Sequence, residues 1–147
     1  MRCPACIRLT KSPLKKHVQA GKGAIKPKEK TMFELAIDCS VDLDGATEGA
    51  GRRRNEKCFD YLIVVESACE ERFVEVHPAS SSSEVDTVIK KKRDCAAVLS
   101  RLGISNANAT WHWLVFGQGT VSFNAGDRYG KILGLAGIAQ PRRKMTD

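Results

Sequence analysis

An α/β domain built in the order α-β-β-α-β is the fold this 147-residue sequence predicts, and three observations carry it. Two short runs rich in β-branched and aromatic residues, FDYLIVVE at 59–66 and RFVEVH at 72–77, flank a polar stretch at 67–71 and read as a β-hairpin. Val85, Val88, Ile89, Ala96, Leu99 and Leu102 then fall on one helical face over 83–102, with Ser83 and Asp86 resembling a capping box and Gly103 ending the helix. The run TWHWLVF at 110–116 is a third strand.

The remaining elements follow in chain order. Residues 1–30 have weak apolar periodicity and scattered Gly and Pro, which predicts a loosely ordered arm. From Thr31 the pattern changes. Phe33, Ile37 and Val41, flanked by Met32, Ala36 and Ser40, follow helical spacing, and Thr31 can cap them, so a helix is expected over 31–43. Glycines and the Arg52-Arg53-Arg54 run make 44–55 a loop. Residues 120–123 suggest a short fourth strand, and 126–139 a glycine-interrupted helix. Trp111 and Trp113 alternate about His112, so both are expected on one face, a core or interface face. The organisation expected is a basic, flexible arm at 1–30, one α/β domain at 31–140 and a basic tail at 141–147.

A hydrophobic share of 42 % is close to the globular norm, so a packed core is expected. No apolar run reaches the roughly 18 residues a membrane span requires, and the first residues lack the apolar centre of a secretory signal. A cytoplasmic protein with no membrane partner is therefore expected, its six cysteines reduced and Cys39 and Cys95 serving as small core residues. Cys3 and Cys6 have metal-like spacing, but only His17 lies near as a further ligand, too few for a structural zinc site. The net charge of +7 is concentrated. Residues 1–30 hold nine Lys or Arg and the single acid Glu29, a balance that attracts polyanions or merely solubilises the chain.

Chemistry concentrates on the hairpin. Side chains alternate along a strand, so Phe73, Glu75 and His77 share one face, and Asp60 shares a face with Leu62 and Val64. In an antiparallel hairpin the start of the first strand lies beside the end of the second. Asp60, Glu75 and His77 can thus converge, and two adjacent carboxylates favour a hard cation, Mg²⁺ or Mn²⁺.

Asp60, fourteen intervening residues and then Glu75-Val76-His77 resemble the signature of the PD-(D/E)XK nuclease superfamily: an Asp, a variable gap, and Glu-x-Lys on adjacent strands. A helix before the hairpin and a helix plus strand after it are similar too, and the resemblance spans about 31–123. It implies a restriction-endonuclease-like core with a central mixed sheet flanked by helices. It also implies metal-dependent hydrolysis of phosphodiester bonds in nucleic acid, with DNA ahead of RNA and a homodimer compatible with the family. Asp60 and Glu75 would hold the metal. The family's further acid from the leading helix would be Glu34, with Asp38 as the alternative. The sequence departs from the pattern where His77 stands in place of lysine. His77 would then act as base or position water, or Lys90 or Lys92 on the next helix would supply the charge. A non-catalytic module binding nucleic acid or protein is the rival reading. In it Asp60 marks a strand edge, Glu75 pairs with a lysine across the sheet, and His77 faces solvent. Lys90-Lys91-Lys92-Arg93 reads first as a solvated helix face, and Ser80 to Ser83 as a polar linker.

Overall fold

Apolar side chains decide where the N-terminal segment goes. In the computed structural model, which describes residues 1–116 and 126–147, the segment 1–30 is folded onto the domain. Helix α1 (Pro4–Leu9) buries Ala5, Cys6 and Leu9, strand β1 (Val18–Ala20) adds to the sheet edge, and a 3-10 turn spans Pro27–Met32. Leu14 and Ile25 are buried as well. The expected flexible arm is therefore corrected: widely spaced apolar residues without a helical period suffice to anchor a segment that runs across a sheet. Asp38 fixes its start, accepting hydrogen bonds from the backbone N–H groups of Arg2 and Cys3 at 2.9 and 2.8 Å. These backbone donors, Cys3 first, lower the Asp38 pKa.

The expected helix over 31–43 is replaced by strand β2 (Ile37–Asp42) and the short helix α2 (Leu43–Glu48). The reason is arithmetic. Phe33, Ile37 and Val41 are four residues apart, and a spacing of four satisfies a 3.6-residue helix and a two-residue strand equally. Ile37, Cys39 and Val41 are all buried. Asp42 ends the strand and caps α2 through its side chain, which accepts from Gly45 N at 3.0 Å. Strands β3 (Tyr61–Val65) and β4 (Glu70–Val76) form the expected hairpin, followed by helix α3 (Ser83–Arg101), strand β5 (Thr110–Leu114) and helix α4 (Arg128–Leu135). The helix expected over 126–139 is thus shorter, and the strand expected at 120–123 lies outside the described residues.

Among the described residues the sheet has five strands in the order β1-β2-β3-β4-β5. The first four pair antiparallel, and β5 pairs parallel to β4 after crossing over through α3, which makes the sheet mixed. Alternation along the strands gives two apolar faces. Leu62, Val64 and Phe73 pack with Val88, Cys95 and Leu99 of α3, while Ile63, Val65 and Val74 pack with Phe33 and Met145. Trp111 and Trp113 share the α3 face, where Trp111 stacks on Phe73 with centroids 4.2 Å apart. His112 faces the other way and is buried, which pushes its pKa down to about 4. The C-terminal residues are part of this layer rather than a free tail. Met145 is fully buried and Arg142 N donates to Trp113 O.

Two disulfides tie the N-terminal segment down: Cys3–Cys69 at the β3–β4 turn and Cys6–Cys39 between α1 and β2. Here the expectation of reduced thiols is corrected, because docking of residues 1–30 brings the Cα atoms of each pair to 5.2 and 6.0 Å. It also removes Cys3 and Cys6 from any shared metal site. Sequence separations of 66 and 33 residues close loops that each contribute about 3–4 kcal/mol on a chain-entropy account. Reduction of both should therefore lower Tm by roughly 20 °C in a thermal melt. A thiol titration of the denatured, unreduced protein should find only the free pair Cys58 and Cys95. Six titratable thiols, or a melt indifferent to reductant, would count against the bridges.

Candidate active site

The open end of the β3–β4 hairpin assembles the polar cluster. Tyr61 pairs with Val74, so the next step of the register sets Asp60 opposite Glu75. Directly opposed residues have Cβ atoms roughly 4.5–5.5 Å apart, close enough for two carboxylates to share one ion. Asp60 is anchored on both sides. Its Oδ2 accepts from Val76 N at 2.9 Å, and its backbone carbonyl accepts from Leu43 N at the start of α2. Trp113 Nε1 of β5 donates to the carbonyl of His77 at 2.8 Å, which fixes the end of β4.

Glu75 is the centre of the cluster. It is 0 % exposed on the face covered by α3, an expensive place for a carboxylate. Lys91 Nζ reaches its Oε2 at 2.6 Å, and His77 Nδ1 lies 3.4 Å from the same oxygen. The other ring nitrogen of His77 pairs with Glu84 at the start of α3. Glu75 Oε1 is buried and has no hydrogen-bond partner among the described residues.

Electrostatics follow from this geometry. Burial, and then the Glu75 charge, push Asp60 up to about 7. The hydrogen bond to Glu75 raises His77, helped by the charges of Glu75 and Glu84 and opposed by burial. Burial pulls Lys91 down, but the Glu75 carboxylate outweighs it and the net shift is upward. Two acids, Glu75 and Glu84, thus face Lys91 and His77.

Asp60, Glu75 and His77, which the sequence predicts to converge, are brought together. The other predicted residues are placed elsewhere. Lys90 pairs with Asp94 at 2.6 Å and reaches Asn55 O, while Lys92 donates to Ala136 O beside Trp111. Lys91 takes the place expected for Lys90, because α3 turns the stripe Glu84, Val88, Lys91 and Cys95 toward the sheet. That stripe is visible in the sequence: Lys91 is three residues after Val88 and four before Cys95, both fully buried. Glu34 is exposed and pairs with Lys144 at 3.0 Å, and no leading helix carries it. Instead Asp42, Asp44 and Glu48 line a cleft of about 210 Å³ that opens on Asp60. Asp42 is occupied as the α2 cap and Asp44 by Arg52 at 2.7 Å.

The donor set fits a divalent cation in two respects. Two opposed carboxylates are present, and one buried carboxylate oxygen lacks a partner. Among the described residues no group of three or more His, Cys, Asp or Glu side chains is arranged to hold a metal ion. No helix among the described residues is long and apolar enough to cross a membrane. No family model, curated protein or solved structure matches the chain.

Proposed function

We propose that this chain is a PD-(D/E)XK-like nuclease that hydrolyses phosphodiester bonds in nucleic acid, DNA ahead of RNA, with Mg²⁺ or Mn²⁺ as cofactor. The observation that carries the reading is the buried Glu75 opposite Asp60, with one carboxylate oxygen unpartnered and Lys91 beside the other. A helix and a parallel strand follow the hairpin, as the resemblance requires. Asp60 and Glu75 would hold the cation, which when bound would stabilise charge on the phosphate and activate water. Lys91 supplies the positive charge that the family draws from its motif lysine. His77, held between Glu75 and Glu84, would act as base or position the attacking water.

A cleavage assay on single- and double-stranded DNA and on RNA, with Mn²⁺ or Mg²⁺, tests this. Glu75→Ala should reduce the rate by about 100-fold or more, as expected for loss of an ion ligand. Equal cleavage by the variant would mark a contaminating nuclease. No cleavage by the parent would favour the second reading, a binding module in which Glu75 is a structural acid already paired with Lys91. The two disulfides favour an oxidising compartment over the cytoplasmic setting expected from the sequence.

A further inference from the structure

We propose that a cleft beside the cluster seats one unpaired base of a single-stranded nucleic acid, with Phe116 as its stacking surface. This rests on the nuclease reading, because the cleft and the cluster share His77. The cleft, of about 390 Å³, is lined by Lys28, Glu29, residues 76–80, Val115 and Phe116. Its walls are apolar at Val76, Pro78, Ala79 and Val115, and its rim is polar at Ser80 and cationic at Lys28. A flat ring with one polar edge and a charged phosphate behind it matches that arrangement.

Phe116 is the observation that points to a base. Of the exposed large apolar side chains among the described residues it is the one aromatic, at 49 % exposure. Lys28 Nζ lies 5.7 Å from its ring centroid, so the ring and the cation are presented together. Every base has a π-face and every nucleotide a phosphate, so the pair recognises a strand without selecting its sequence. Glu29, the acid in the wall, has one oxygen engaged by the Tyr61 hydroxyl at 2.6 Å. A base held in a duplex is stacked and paired and cannot enter a lateral cleft, whereas an unpaired base can. His77 borders both the cluster and the cleft, so a strand bound at the cleft lies next to the acids.

Fluorescence anisotropy of a labelled eight-residue oligothymidine, without divalent cations so that nothing is cleaved, tests the cleft apart from the chemistry. The parent should bind. Phe116→Ala should weaken binding about fivefold or more, and Phe116→Trp should restore it. Leu135→Ala, which removes an exposed apolar side chain outside the cleft, should bind like the parent, which separates the effect from a general loss of surface apolarity. Phe116→Ala binding as tightly as the parent, no binding by the parent, or an equal loss on a blunt duplex would each overturn the proposal. Failure of the nuclease reading would appear separately, as absent cleavage with these binding differences intact.

Discussion

Replacing Lys91 by methionine is expected to lower the unfolding free energy by about 3 kcal/mol, because it leaves a buried carboxylate without its main counter-charge. Glu75 is fully buried and its Oε2 is held by Lys91 at 2.6 Å. With Lys91 gone, His77 at 3.4 Å is the nearest compensating group. Methionine keeps the apolar stem of the side chain, so little packing is lost and the effect reports the charge. In a domain of this size the loss corresponds to a Tm fall of roughly 10 °C. Adding Glu75→Gln to Lys91→Met should recover most of the stability, since removing both members of a buried pair is often nearly neutral. Denaturant titrations of the parent, both single variants and the double variant give the coupling directly. A Lys91→Met variant within 1 kcal/mol of the parent would mean that the pair does not hold this end of the sheet. On the nuclease reading the double variant refolds the site without restoring cleavage, so stability and activity separate.

Asp60→Asn should change how stability depends on pH. The Asp60 carboxyl has a folded-state pKa of about 7 against 3.8 as its ordinary value. Between these values the folded protein holds a proton that the unfolded chain releases. The parent is therefore favoured below about pH 4 and loses that contribution as pH rises to 7. At about 1.36 kcal/mol per unit the full effect is about 4 kcal/mol, and about 2–4 kcal/mol is a fair range for a group that is not wholly buried. Asparagine retains an acceptor for Val76 N–H but does not titrate. The variant should thus gain on the parent by about 2–4 kcal/mol from pH 4 to 7 and hold that margin above. Comparing variant with parent cancels His77 and His112, which titrate in both. A margin independent of pH would remove the basis for a proton on Asp60. The same measurement bears on the cation. On the nuclease reading Mn²⁺ would replace that proton, so it should raise the parent's Tm at pH 8, do so much less at pH 5.5, and leave Asp60→Asn little changed.

Much of this arrangement was legible before any coordinates. The hairpin, α3 and β5 came from β-branched runs, a helical apolar stripe and polar turns, because those patterns are local. The shared face of Asp60, Glu75 and His77 followed from strand alternation and the antiparallel sense of a short turn. Lys91 was harder. Its spacing from Val88 and Cys95 puts Lys91 on the buried stripe, but only the rotation of α3 against β4 sets it beside Glu75.

By itself, then, the sequence determined an α/β domain whose hairpin carries two opposed acids and a histidine. The tertiary structure decided three things. It made 37–42 a strand, because a four-residue spacing cannot distinguish the two periods and pairing with β3 settles it. It packed 1–30 onto the sheet, because scattered apolar residues gain a partner only once the sheet exists. It also selected Lys91 over Lys90 and Lys92, because charge is recruited where burial of Glu75 makes its absence costly.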